Sequence, residues 1–264
     1  MGQTQTHSHS IYVFDARVPD RIYWMSHIYA KIRQHILDGY AVIYVMEQDV
    51  TAAVQHMTKI SGFEVEDYIG SGALTIISNK DFYSHSVREE VLLDQWYKLI
   101  SYVERKSGKF RGFVAIGMPV DSFFRSAISQ EHLIRYEATV ASRYDGTVEA
   151  VCCYTTEAIE KMPLRYIMGL LNAHQNTAHR ESVMKEWTVS RGVSIIRRGL
   201  DSALGSQVSE LVFAMLMRDF EMKPAAIVSH PDQFENKLRI LYGEHAADII
   251  IAKIKEELIS EIVF

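Results

Sequence analysis

Short apolar runs alternate with longer segments of helical periodicity between residues 11 and 171. The apolar runs have the length of β-strands and cover residues 11–14, 41–46, 73–77, 112–116 and 148–154. Between these runs, apolar residues recur every three or four positions, as they do on the face of a helix that packs on a sheet. This periodicity predicts helices over residues 20–38, 50–61, 87–105, 130–143 and 164–171.

Strand–helix alternation of this kind is typical of a parallel sheet that is covered by helices. Residues 186–190 could add an edge strand, and everything after residue 193 follows a helical pattern. We therefore predict an α/β domain over residues 1–180, with a mainly parallel sheet flanked by helices. A small all-α domain over residues 190–264 follows, and its size suits packing on the first domain or pairing with a second copy.

Composition and charge exclude several classes of protein. The chain has 264 residues, of which 48% are hydrophobic, and its formal net charge of −5 gives no global attraction to nucleic acid or an anionic membrane. No apolar run reaches the ~18 residues of a bilayer-spanning helix, and the first ten residues lack the apolar core of a signal peptide.

The only cysteines, Cys152 and Cys153, are neighbours that point to opposite faces of a strand. Reduced thiols are typical of the cytoplasm, where we expect this protein.

The turn after the first strand lacks the groups that hold a nucleotide phosphate. A phosphate-binding loop needs glycine N–H groups and a lysine. Residues 15–20 contain neither, and Pro19 also removes an N–H donor. The fourth strand is followed by Gly117 and Met118, where a nucleotide hydrolase would have a magnesium-binding carboxylate. Because both halves of a hydrolysis site are missing, we predict that the protein is not an enzyme.

A candidate ligand site lies where the carboxyl ends of the parallel strands meet, since open α/β domains bind ligands there. Asp15 follows the first strand, Glu47 the second and Tyr154 the fifth. Glu47 stands where dinucleotide-binding domains have a ribose-binding carboxylate, but the G-x-G-x-x-G motif is absent upstream. Tyr12 and Tyr44 could line an apolar pocket in this region, or could simply pack in the core.

The histidines and cysteines form no sequence motif for a metal or for a nucleophile. His7 and His9 precede the first strand and His85 lies in a polar loop; three imidazoles from separate elements could bind zinc, but their spacing is not diagnostic. A nucleophilic Cys152 or Cys153 would need a histidine to orient it, and the sequence places none beside either residue. We predict inert thiols, no metal and no cofactor.

Five short motifs follow one another along the first 175 residues. They are His9 ahead of Phe14, Ile43-Tyr44-Val45 with Glu47 after it, Gly117-Met118, Arg135-Tyr136-Glu137 and Val151-Cys152-Cys153-Tyr154. This series resembles the MEDS domain, the methanogen/methylotroph, DcmR-type sensory domain, except that the end of the fourth strand is less acidic here. The resemblance implies a RecA/KaiC-like fold without ATP-binding motifs, acting as a cytoplasmic sensor of small organic molecules, with no established catalysis.

The segment 199–257 resembles a small helical output-type domain that is appended to sensors in archaeal proteins. The residues that carry this resemblance are Leu204-Gly205, the helix start at 231–234 and Tyr242-Gly243-Glu244 before an isoleucine-rich helix. The resemblance implies that a sensor is coupled to an effector module. A signalling or transcription partner and self-association as a homo-oligomer are expected with it.

Our leading hypothesis is therefore a non-catalytic sensor whose small ligand binds at the carboxyl-end crevice and biases the C-terminal helices. The residues expected to contact the ligand are His9, Tyr12, Asp15, Tyr44, Glu47, Met118, Glu137 and Tyr154. Two alternatives stay open. One is a RecA/KaiC-like nucleotide-binding regulator or ATPase with a divergent loop, and the other is an oligomeric scaffold.

Overall fold

A computed structural model of the protein describes ten stretches of the chain. They are residues 9–15, 21–46, 49–61, 64–83, 88–107, 110–119, 121–143, 148–174, 176–178 and 184–263. Within these stretches, none of the helices combines the length and the apolar character that are needed to span a membrane.

Seven strands of the described part form one sheet. In chain order they are β1 (His9–Phe14), β2 (Ala41–Met46), β3 (Leu74–Ser78), β4 (Phe113–Gly117), β5 (Val148–Thr155), β6 (Asn176–Ala178) and β7 (Met184–Glu186). The order across the sheet is β3-β2-β4-β5-β1-β6-β7. All neighbours are parallel except β6 and β7, which pair antiparallel. The predicted, mainly parallel sheet is confirmed.

Helices connect the strands and cover the sheet. The helices of the first part are α1 (Arg21–Leu37), α2 (Val50–Ser61), α3 (Val65–Ser71), α4 (Asn79–Phe82), α5 (Glu89–Ser107), α6 (Ala127–Arg143), α7 (Thr156–Glu160) and α8 (Leu164–Ala173). The C-terminal helices are α9 (Val189–Leu204), α10 (Ser206–Asp219), α11 (Pro224–Ser229), α12 (Pro231–Tyr242) and α13 (Glu244–Ile262). An α/β part followed by an all-α region is thus confirmed.

Successive side chains of each central strand lie on opposite faces of the sheet and enter two different cores. Tyr12 and Tyr44 pack with residues of α1 and α2 in one core. Ile11, Val13 and Tyr154 belong to the other core, which also contains residues of α5, α6, α8 and the C-terminal helices. The strands are apolar on both faces because both faces are buried, as in other parallel sheets.

The C-terminal helices reach back to the sheet. Helices α9 and α13 pack closely at Gly199, where a Cβ atom would lie 2.6 Å from the Cα of Ile254. Beyond the end of α13, Val263 forms a parallel bridge with Val13 near the carboxyl end of β1. The last helix therefore lies beside the edge of the sheet at which a ligand is expected.

Candidate functional site

Five polar side chains meet in the core between the sheet and helices α6 and α8. They are His9 on β1, Glu137 on α6, Cys152 and Tyr154 on β5, and His174 directly after α8. We call this set the polar cluster. The side chains of His9, Glu137 and His174 are only 6%, 3% and 0% exposed. Polar groups buried to this degree need partners, because desolvation without hydrogen bonds is costly.

The carboxylate of Glu137 lies at the centre of the polar cluster. Its Oε2 is 3.2 Å from Nε2 of His9, 3.2 Å from Sγ of Cys152 and 3.7 Å from Nε2 of His174. Its Oε1 accepts a hydrogen bond from the hydroxyl of Tyr154 at 2.5 Å. Four side chains from three elements, β1, β5 and the end of α8, thus direct polar atoms to one carboxylate on α6.

Main-chain carbonyls orient both imidazoles of the cluster. Nδ1 of His9 donates to the carbonyl oxygen of Ala173 at 2.8 Å, and Nδ1 of His174 donates to that of Leu170 at 2.6 Å. A carbonyl only accepts, so each Nδ1 carries a hydrogen and each Nε2 faces the cluster. Nε2 of His174 is fully buried and has no hydrogen-bond partner in the described part of the chain. The two rings lie side by side, with their centroids 4.0 Å apart.

The cluster combines a carboxylate with a neutral imidazole and a protonated thiol. Burial favours a higher pKa for Glu137, but the hydrogen bond from His9 and nearby positive charge outweigh it and lower the pKa to about 2. Burial, followed by the charge of His9, lowers the pKa of His174 to about 3. Burial and the charge of Glu137 raise the pKa of the Cys152 thiol well above its ordinary value.

Cys152 does have a histidine beside it, which the sequence could not place. Its Sγ lies 3.5 Å from Nε2 of His9. A nucleophilic cysteine needs a lowered pKa, however, and the shift here is in the opposite direction. The thiol donates to Glu137 at 3.2 Å and does not act as a thiolate in this arrangement.

The predicted ligand residues separate into groups. His9, Glu137 and Tyr154 meet in the polar cluster. Three others pack on the opposite face of the sheet, and these are Tyr12, Tyr44 and Met118. Asp15 is half-buried after β1, where its Oδ1 is 3.4 Å from the hydroxyl of Thr156. Glu47, His7 and His85 lie outside the described residues, as do residues 16–20 of the first turn.

His174 and Cys152 are the two members of the polar cluster that were not among the ligand-binding residues expected from the sequence. His174 follows the apolar stripe of α8 and lies four residues after Leu170, whose carbonyl binds it. A histidine directly after a helix with a buried apolar face is a signal that could have marked it, since such a side chain needs polar partners. Nothing in the sequence alone relates it to His9.

A groove of about 700 Å³ opens beside Asp15, away from the polar cluster. Its lining residues come from the end of β1, from α7 and from α13, and they are Asp15, Glu160, Asp248, Ile251, Ala252, Lys255, Glu256, Ile259, Ser260 and Val263. We call it the β1–α13 groove. Nζ of Lys255 donates to the carbonyl oxygen of Glu160 at 2.9 Å and so joins its two walls.

A much smaller cavity of about 20 Å³ adjoins the polar cluster. It is lined by Glu137 and Cys152 and also by Gly117 and Pro119, which lie at the carboxyl end of β4. This volume has room for roughly one water molecule, because a water needs about 10–15 Å³ on this measure. An organic ligand does not fit beside the cluster, whereas the β1–α13 groove is large enough for one.

These features define an α/β protein with a mainly parallel sheet, a buried polar cluster on one face and a groove at the carboxyl end of β1. The sequence profile of the MEDS domain, described as the MEthanogen/methylotroph, DcmR Sensory domain, matches residues 11–175. The chain therefore belongs to the MEDS family, and the predicted resemblance is confirmed. The match supports the coarse prediction of a sensory or signalling role. No curated protein matches the chain significantly.

Proposed function

We propose that this protein is a non-catalytic cytoplasmic sensor that binds a small organic molecule in the β1–α13 groove. The observation that carries the proposal is that the two walls of this groove belong to different parts of the chain. Asp15 and Glu160 belong to the part that matches the MEDS profile, whereas Asp248, Lys255 and Ser260 lie on the last helix. A volume of about 700 Å³ is also typical of small-molecule sites.

Relay to the C-terminal helices follows from this placement. A ligand shifts a conformational equilibrium only through different affinities for the two states. A molecule that touches both walls favours the state in which α13 is docked against the end of β1, where Val263 bridges Val13. Release of the ligand would weaken that docking, and the other C-terminal helices would sense the change through α9, which packs against α13.

The lining indicates the chemistry of the ligand. Asp15, Glu160, Asp248 and Glu256 supply four carboxylates and Lys255 supplies the single amine among the lining residues. An excess of negative charge attracts cations. The apolar part of the lining includes Ile251, Ile259 and Val263. We propose a small organic amine, or a similar molecule with a cationic head and an apolar body.

Thermal shift and calorimetric titration with organic amines, and with carboxylic acids of equal size, test this function. We expect amines to raise the melting temperature and acids to leave it unchanged. Asp15→Asn should remove the response to amines, and Glu104→Gln, which changes an exposed carboxylate on α5, should keep it. The proposal fails when no amine binds or when Asp15→Asn binds as the unchanged protein does.

The same assay addresses the nucleotide alternative, which depends on residues 16–20. Adding ATP with magnesium should change neither the melting temperature nor the concentration of free phosphate. Phosphate release by the purified protein would contradict a non-catalytic sensor.

The proposed homo-oligomer, or a signalling or transcription partner, would use the C-terminal helices. These helices expose large apolar side chains, among them Leu211 at 63%, Met217 at 52%, Ile240 at 59% and Ile249 at 53%. Exposed apolar groups on a small helical region favour association with another surface. This exposure supports the proposal that the output of the sensor is an association of the C-terminal helices.

A further inference from the structure

We propose that the polar cluster is a transition-metal site, in which His9, Glu137, Cys152 and His174 bind one zinc-like ion. The donor atoms are Nε2 of both histidines, one carboxylate oxygen and the sulfur, and all lie within 4.8 Å of one another. They come from β1, α6, β5 and the end of α8. The proposal does not depend on the ligand of the β1–α13 groove.

The separations of the donor atoms fit a tetrahedron around one ion. Zinc binds nitrogen and oxygen at roughly 2.0–2.2 Å and sulfur at about 2.3 Å, so the edges of its tetrahedron measure about 3.3–3.7 Å. The observed separations are 3.2 Å from Glu137 to His9 and to Cys152, 3.5 Å from Cys152 to His9, and 3.7 Å from Glu137 to His174. The other two separations, from His174 to His9 and to Cys152, are within 4.8 Å, so closing the site requires the His174 imidazole to approach the ion.

The hydrogen bonds around the cluster hold three of the four ligands, His9, His174 and Glu137, as metal sites require. Metal-binding histidines almost always donate their other nitrogen to a carbonyl or carboxylate, which fixes the tautomer. His9 and His174 both do this, to the carbonyls of Ala173 and Leu170. The second oxygen of Glu137 is held by Tyr154. The first coordination shell is therefore already oriented by a second one.

The hydrogen bonds of the cluster leave one buried atom, Nε2 of His174, without a partner among the described residues. The side chain of His174 is 0% exposed. Its lone pair faces Oε2 of Glu137 at 3.7 Å, and two acceptors repel each other unless a proton or a cation lies between them. A metal ion bound to both atoms removes this repulsion.

The charge and the chemical softness of the four donor atoms indicate which class of metal ion the site would bind. On binding, the thiol of Cys152 forms a metal–sulfur bond and releases its proton to solvent, and Nε2 of His9 releases the proton that it donates to Glu137. A divalent ion then meets one thiolate, one carboxylate and two neutral imidazoles, and the buried site becomes neutral. A mixed set of nitrogen, sulfur and oxygen donors suits zinc, cobalt or copper and not magnesium or calcium, which prefer oxygen alone. Four protein donors make a closed site, as in structural zinc sites.

Metal analysis and a cobalt titration of the full chain test the site. We expect about one zinc per chain after purification without chelators. After chelation, one equivalent of Co²⁺ should produce the absorption of a thiolate-to-cobalt charge transfer. Cys152→Ser should lose this absorption. Cys153→Ser is the matched control, because that thiol is buried on the opposite face of the sheet, and it should keep it.

Two further measurements test the site without the Cys152→Ser variant, in case that variant folds poorly. In the unchanged protein, Co²⁺ should protect Cys152 from alkylation and leave the reactivity of Cys153 as it was, as read by mass spectrometry. Tyr154→Phe should weaken metal affinity by about 10–100-fold, the usual effect of removing a second-shell partner.

The absence of a charge-transfer band in the unchanged protein, or a band that Cys152→Ser retains, would overturn the site. Asp15→Asn should bind cobalt normally, so failure of the metal site and failure of the groove are separate results.

Discussion

At the scale of single residues, an ion pair between helices α5 and α6 makes the stability of the protein depend on pH. Glu89 at the start of α5 and His132 on α6 form such a pair, with Oε2 and Nδ1 2.8 Å apart. The side chains are 18% and 29% exposed. The hydrogen bond from His132 lowers the pKa of Glu89, against a smaller opposing effect of burial. Partly exposed pairs of this kind contribute up to about 1 kcal/mol.

His132→Ala should therefore lower the free energy of unfolding by less than about 1 kcal/mol at neutral pH. A carboxyl whose pKa is lower in the folded state stabilises the protein above its unfolded pKa, and the contribution is lost as pH falls through the folded pKa. The difference between His132→Ala and the unchanged protein should therefore shrink as the pH falls below about 5, toward the lowered pKa of Glu89. Urea unfolding at several pH values measures it.

The neighbouring Glu90→Gln serves as the control for that series, since the Glu90 side chain is 67% exposed. It should show almost no change at any pH. A difference for His132→Ala that grows as the pH falls below about 5 would show that the pair is not what stabilises this helix contact.

Single residues also mark the limit of prediction from sequence. The sequence identified His9, Glu137 and Tyr154 as candidates, but it assigned them to a crevice at the carboxyl ends of the strands. Their actual contacts depend on β1 lying beside β5, and His9 and Cys152 are 143 positions apart. One sequence contains no information on strand order. For the same reason no metal was predicted from the sequence, and the metal site that we propose depends on the observed strand order.

At the scale of elements, the periodicity of apolar residues predicted the long helices and the central strands, but it did not predict the short elements. The strand over 41–46 and the helix over 50–61 have the predicted bounds. Helices α3, α4 and α7 were missed because seven, four and five residues are too few to show a period. Strand β6 was missed because Asn176 and Thr177 give no apolar signal.

The contact of α9 with α13 makes a prediction about helix packing. Gly199→Ala would place a methyl group 2.6 Å from the Cα of Ile254, which is backbone and does not move aside. Overpacking of this kind costs about 1–3 kcal/mol. We expect the free energy of unfolding to fall by that amount in urea titrations.

Gly70→Ala in α3 is the opposite case, because an added Cβ there meets nothing within 4 Å. Replacing a helical glycine by alanine stabilises by up to about 1 kcal/mol. Equal effects of the two substitutions would contradict the close approach of α9 and α13.

At the scale of the whole molecule, one apolar core joins the sheet to the C-terminal helices. Trp96 of α5 and Trp187 before α9 belong to the same core. Oε1 of Glu235 on α12 also accepts a hydrogen bond from the backbone N–H of Arg165 at the start of α8, at 3.1 Å. The C-terminal helices are therefore fastened to the family-matched part by polar as well as apolar contacts.

This continuity predicts a single cooperative unfolding transition. Variants that retain only Trp96, or only Trp187, should report the same midpoint by fluorescence in urea, coincident with circular dichroism. The double substitutions Trp24→Phe with Trp187→Phe, and Trp24→Phe with Trp96→Phe, provide these two probes. Two separated midpoints would mean that the C-terminal helices unfold independently.

The position of β1 in the sheet sets the order of assembly during synthesis. β1 is the earliest strand in the chain, yet both of its neighbours, β5 and β6, come later than every other parallel strand. At 5–20 residues per second, the ribosome needs roughly 7–30 s to reach β5. During that interval both hydrogen-bonding edges of β1 are unpaired. This six-residue strand is buried along its whole length in the folded protein. Chaperone capture of the nascent chain is most valuable at this segment, because unpaired strand edges seed aggregation.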